Sequence, residues 1–272
     1  MGFMILRGLF LFALAFFAFP AAACGPDSDC MIGERHYRIA LPQGYDASVP
    51  VPAIVFAHGY RGSARGVMRN RSLRALASDL GAALIAVKSG DQDWVIPNAP
   101  RHLDTDGAAE FAYFDAVLSD AATRFAIDRD RIVATGFSAG GMMVWNLACA
   151  RPDMFAGFVP IAGTYWLKPP ATCAAPAASI IHIHGDQDKT VPLLGRPIGP
   201  TKQGEVPAAL DMYEAFGGFG SASAVQYGGL SCKEQRNETG ELLAFCLFRG
   251  GHSFRTEHLR HGWEQLQKAG QL

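Results

Sequence analysis

Short, largely apolar runs recur along the chain, separated by longer stretches of mixed polarity. Ala53-Ile-Val-Phe-Ala57, Ala83-Leu-Ile-Ala-Val87, Arg131-Ile-Val-Ala-Thr135, Phe158-Val-Pro-Ile-Ala162, Ile180-Ile-His-Ile-His184 and Leu242 to Phe248 are too brief for helices and read as buried strands. Arg35 to Pro42 alternates polar and apolar residues, which predicts an edge strand ended by proline. Leu73 to Leu80, the segment around Met142 to Ala148, and about His258 to Lys268 read as helices. So does Ala109 to Phe125, whose Phe111, Phe114, Val117 and Leu118 share one side. Ser89 to Asp106, rich in Gly, Pro and Asp, is a long loop. Strands separated by helices predict a mostly parallel sheet covered on both faces, with ligands meeting the carboxyl ends of its strands.

One of those ends carries Thr135-Gly-Phe-Ser138-Ala-Gly-Gly141. A glycine-flanked serine between a strand and a helix is the pattern of a nucleophile elbow. Gly136 and Gly140 permit a turn tight enough to lift the Ser138 hydroxyl clear of the sheet, beside the free N–H of Ala139. The plainer alternative is a serine that merely caps the next helix.

A serine hydroxyl needs a base, and on such a sheet the chain order is serine, acid, histidine. That order removes His36, His58, His102, His182 and His184, leaving His252, His258 and His261. His252 follows Gly250-Gly251 after a strand and is the preferred base. His258 and His261, three apart on the last helix, read as surface residues. The acid belongs on the loop Gly185-Asp186-Gln-Asp188-Lys-Thr-Val-Pro192, where Asp186 reads as a turn cap and Asp188 as the partner of His252. A second oxyanion donor beside Ala139 is expected from His58-Gly59-Tyr60-Arg61-Gly62, through the N–H of Tyr60, with the His58 ring orienting that turn.

The chain has 272 residues, 18% of them charged, with a net charge of −1. That balance argues against a nucleic-acid partner, which needs a basic face. Residues 1–23 read as a signal peptide: Arg7, an apolar stretch Leu9 to Phe19, then Pro20-Ala-Ala-Ala23. The apolar stretch is too short to span a bilayer. A secreted or periplasmic protein follows, with lipid attachment at Cys24 as the second outcome and no membrane contact otherwise. The six cysteines suggest three disulfides in an exported chain, and their order suggests Cys24–Cys30, Cys149–Cys173 and Cys232–Cys246.

His58-Gly-Tyr-Arg-Gly-Ser63, Thr135-Gly-Phe-Ser-Ala-Gly-Gly-Met142, His184-Gly-x-x-Asp188-x-x-Val-Pro192 and Gly250-Gly-His252 stand in that order along nearly the whole mature chain. Together they resemble the exported α/β-hydrolase esterases named polyhydroxybutyrate depolymerases, feruloyl esterases and acetylxylan esterases. The resemblance implies an α/β-hydrolase catalytic domain over 24–272, an acyl-enzyme on Ser138, and neither cofactor nor metal. The chain departs from the group at Ser253-Phe254-Arg255, where a tryptophan and proline often follow the histidine. A Trp and a Cys common in the group are also missing from Tyr213 to Gly217.

Gly163 to Ser179, the usual place for a lid, is too short for a large apolar cap. An open cleft suits a short acyl, hydroxyalkanoate, acetyl or feruloyl ester, including one at the edge of a polymer, better than a long fatty chain. Trp94, Trp166 and Phe254, with Tyr60 and Tyr165, are the candidate cleft aromatics. Two other readings stand beside esterase: a non-catalytic envelope binding protein on a hydrolase scaffold, and a serine peptidase of the same fold.

Overall fold

A computed structural model describes residues 24–272, so the signal peptide read over residues 1–23 lies outside the described residues. The strands in chain order are β1 (Cys30–Ile32), β2 (Arg35–Ala40), β3 (Val51–Ala57), β4 (Ala83–Val87), β5 (Ile127–Phe137) and β6 (Gly157–Ile161). There follow β7 (Ile180–Gly185), β8 (Arg196–Ile198), β9 (Thr201–Gln203), β10 (Ser223–Tyr227), β11 (Leu230–Arg236) and β12 (Leu242–Phe248). The helices are α1 (Ala64–Arg69), α2 (Arg71–Asp79), α3 (Ala108–Arg124), α4 (Ala139–Ala150), α5 (Val206–Gly217) and α6 (Thr256–Lys268).

Ten strands form one sheet in the order β1-β2-β4-β3-β5-β6-β7-β12-β11-β10. The central run from β4 to β12 is parallel, and both flanks are antiparallel. Side chains alternate faces along each strand, so the sheet serves two cores. Ala53, Val55, Ala57, Ile85 and Val87 pack with Phe114, Val117, Met143, Trp145 and Tyr213 from α3, α4 and α5. Ile54, Phe56, Leu84 and Ala86 pack with Val67, Leu73, Leu259 and Trp263 from α1, α2 and α6. Burial on both faces is why the central strands read as unbroken apolar runs.

The flanks depart from expectation. Arg35–Ala40 is not the edge: β1 pairs outside it, with Cys30 opposite Tyr37, and Cys30 is bonded to Cys24. The other two disulfides join Cys149 to Cys173 and Cys232 to Cys246, the latter across the β11–β12 pair. Between the end of β6 and the start of β7 there is neither helix nor strand, only a bridge from Trp166 to Gln203 of the small β8–β9 hairpin. No helix among the described residues is long and apolar enough to cross a membrane.

Candidate active site

Ser138 sits between β5 and α4 at φ 61° and ψ −122°. An L-residue rarely adopts positive φ, and here close packing of the two elements enforces it. A Cβ at Gly136 would lie 2.5 Å from the Gly140 carbonyl and 2.8 Å from the Ala57 oxygen, and one at Gly140 would strike the Ala57 carbonyl. Only glycine lets the helix start this near the sheet. The Ser138 backbone is tied on both sides, N–H to the Ile161 carbonyl at 3.0 Å and C=O to the Met142 N–H at 3.0 Å. Its side chain makes no cap hydrogen bond, so capping does not explain the serine.

The turn after β3 lies against it. A Cβ on Gly59 would be 3.6 Å from the Ser138 Cβ. Among the described residues neither the Tyr60 N–H nor the Ala139 N–H donates to another protein group, which leaves both available to an oxyanion. The turn is held from beneath. His58 Nδ1 donates to the Gly59 carbonyl at 2.8 Å, its Nε2 accepts from the Ser89 N–H at 3.2 Å, and the Trp94 indole N–H donates to the His58 carbonyl at 2.8 Å. Burial pushes the His58 imidazolium down to about 4, so this ring is neutral.

Across the site, His252 Nδ1 meets Asp188 Oδ2 at 2.6 Å. The His252 ring lies 4.5 Å from that of Phe137, the residue before Ser138. The two loops interlock because their strands, β7 and β12, are parallel neighbours. Gly185 is pressed on the carbonyls of Gly250 and Gly251, and Asp186 accepts the Gly250 N–H at 2.9 Å. Asp186 therefore caps a turn, but on the histidine's loop. Asp188 Oδ1 accepts the N–H groups of Thr190 and Val191 at 2.8 and 2.9 Å. Burial of Asp188 raises its pKa, but hydrogen bonds from His184, His252 and the Val191 N–H outweigh this and hold the carboxyl well below the usual range.

Other expected positions fall elsewhere. Trp94 is fully buried and Trp166 is 6% exposed, so neither offers a face to a ligand. An indole N–H out of water needs an acceptor, and Trp94 finds one in the His58 carbonyl. Tyr165 is buried with its hydroxyl on the Trp145 carbonyl at 3.0 Å. Phe254 is half-buried, edge-on to Phe56, and Tyr60 is 51% exposed. His258 and His261 are not surface residues. The first packs on Phe248, the second beside Tyr227 and the Cys232–Cys246 disulfide. Two residues passed over as bases, His182 and His184, are fully buried behind Asp188. Their spacing on one strand puts both on one face, a signal the sequence does carry.

The Phospholipase/Carboxylesterase family model matches residues 108–197, the stretch holding Ser138 and Asp188. The putative esterase NocK of Nocardia uniformis subsp. tsuyamanensis is 32% identical over 173 residues, 61% of this chain and 48% of that protein. Feruloyl esterase C of Emericella nidulans is 30% identical over 166 residues, 60% of this chain and 58% of that one. The probable feruloyl esterase C of Aspergillus flavus is 27% identical over 231 residues, 81% and 77%. The chain thus spans about half the length of NocK and more of the fungal proteins. The acetyl xylan esterase from Aspergillus awamori superposes with a TM-score of 0.60 at 15% identity, covering 88% of this chain and 95% of that one. The Bacillus cereus carboxylesterase gives 0.58 at 15%, with 87% and 95% covered. These structures show that the fold is that of the α/β-hydrolases. In sequence, the chain is similar to a carboxylesterase family model over part of its length and to proteins named esterases.

Proposed function

We propose that the protein is an exported serine esterase, with residues 24–272 as its catalytic domain, Ser138 as nucleophile, His252 as base and Asp188 as acid. His252 takes the Ser138 proton as the oxygen attacks the ester carbonyl, and then passes it to the departing alcohol. The acyl group stays on Ser138 until water, activated by the same imidazole, releases it as the acid. Tyr60 and Ala139 donate their N–H groups to the carbonyl oxygen as it becomes an oxyanion. Asp188 keeps the proton on His252 Nδ1 and steadies the imidazolium. The 2.6 Å bond between Asp188 and His252, on a loop packed against the residue before Ser138, carries this reading.

The absence of helix or strand between β6 and β7 leaves no capping element there, and an open mouth favours short or aromatic acyl esters of bulky alcohols. The feruloyl esterases among the relatives point the same way. Three disulfides suit an oxidising compartment. Turnover of p-nitrophenyl acetate by the mature chain, and its loss by at least ~10⁴-fold in Ser138→Ala, is the expected result. Undiminished turnover in that variant would refute the assignment. A panel of feruloyl, acetyl-xylan and hydroxybutyrate esters then ranks the acyl groups.

A further inference from the structure

Behind Asp188 runs a line of buried polar groups that the proposed chemistry does not use. The Trp145 indole Nε1 lies 3.0 Å from His182 Nδ1, His182 Nε2 lies 2.9 Å from His184 Nδ1, and His184 Nε2 lies 2.8 Å from the Val191 carbonyl and 3.4 Å from Asp188 Oδ2. All three side chains are fully buried. An indole N–H can only donate, so His182 Nδ1 must be a bare acceptor. A neutral imidazole carries one proton, which places it on His182 Nε2 and makes His184 Nδ1 the next acceptor. His184 Nε2–H then faces the acid loop. Charging either ring would set two N–H groups against each other, and burial and the neighbouring ring push His182 well down in pKa. No ring nitrogen is left for a metal, and no link can reverse to pass a proton.

We propose that His184 is a positioning residue for Asp188, locked in one tautomer by His182 and Trp145. This rests on the reading of Asp188 and His252 as acid and base. His184 grips the acid loop at two points. Its N–H goes chiefly to the Val191 carbonyl, while the Val191 N–H returns to Asp188 Oδ1, and the same N–H leans on Asp188 Oδ2, the oxygen that His252 uses. The far end of the line is Trp145, on the helix that starts at Ala139, directly after Ser138. The line therefore ties the acid to the nucleophile's helix through side chains as well as through the sheet. A histidine that only filled space could be replaced by phenylalanine.

The test compares wild type with His184→Phe and His184→Gln. The glutamine keeps an N–H at the reach of Nε2. With p-nitrophenyl acetate, H184F is expected to lose ~10–100-fold in kcat with KM within about twofold, as a misplaced group does. The acidic limb of its kcat/KM profile moves to higher pH, because a carboxylate with one donor fewer holds the His252 proton more strongly. H184Q recovers most of the loss. Nitrogen-15 NMR of histidine-labelled wild type needs no variant. It should show both His182 and His184 bearing their proton at Nε2 and bare at Nδ1. H184F with kcat within twofold of wild type and an unmoved limb overturns the proposal, as does an Nδ1-protonated His184. Wild type that neither turns over nor is labelled by a fluorophosphonate defeats the esterase reading itself. An active wild type beside an unaffected H184F defeats the positioning role alone.

Discussion

Two turns flank Ser138, and each rests on a buried histidine, but the two histidines grip different things. Among the described residues the His58 ring, under the first turn, bonds only to backbone: the Gly59 carbonyl and the Ser89 N–H. His184, under the acid loop, reaches a backbone carbonyl and also a carboxylate. Peptide dipoles are aimed by the path of the chain, so holding the path suffices on one side. A charged side chain has rotamers of its own and needs donors on its oxygens. The difference lies in what each side must hold still.

The comparison breaks most sharply at the acid. Asp188→Asn should lower kcat by about 10⁴ with the structure kept, since the amide favours the wrong imidazole tautomer; single-turnover kinetics on p-nitrophenyl acetate reads this. On the other side, His58→Leu removes a support rather than a reacting group. A loss of ~10–10² in kcat is expected, below the 10²–10³ for removing an oxyanion donor outright. If H58L cost as much as D188N, the distinction between path and charge would be wrong. Trp94→Phe deletes one hydrogen bond to the same turn, worth about 1 kcal/mol, and should cost about fivefold in kcat and a few degrees in Tm.

Acid sharpens the contrast through stability. His58 and His182 have folded pKa values below that of a free imidazole, so between about 4 and 6.5 the unfolded chain binds more protons and stability falls as pH drops. For His58 alone the loss reaches ~3 kcal/mol by pH 4. Asp188, also depressed, adds its loss only below the usual carboxylate range. Urea midpoints from pH 7 down to 4 should decline steadily, and less so in H58L. The smallest effect on activity is expected from Cys232→Ala with Cys246→Ala, a pair bridging β11 and β12. Closing a 14-residue separation predicts a loss of ~3 kcal/mol in stability, with kcat within twofold.

How much of this was legible in the sequence differs between centre and flanks. β4 matches its apolar run residue for residue because burial on both faces leaves a continuous signal. The outer strands β10 and β11 carry Ser-Ala-Val-Gln-Tyr and Leu-Ser-Cys-Lys-Glu-Gln-Arg, in which only Leu230 and Cys232 are buried, too short an apolar set to mark a strand. α5 buries only Val206, Ala209 and Tyr213, a thin stripe behind a proline. At the site, Ser138, Asp188 and His252 are marked by their glycines and by their order along the chain. Trp94 and Trp166 misled because aromatic residues on loops signal burial as readily as exposure. His182 and His184 were hidden in plain view: alternation on a strand shows a shared face but not what that face meets.

Asp188 and His252 follow adjacent parallel strands, and the chain between those strands makes an excursion through the β8–β9 hairpin and α5 before adding β10 and β11 to the sheet's edge. Their spacing is inherited from the ladder of β7 and β12, so the excursion is free to diversify. Changes in its β8–β9 hairpin would leave the Asp188–His252 spacing to the sheet.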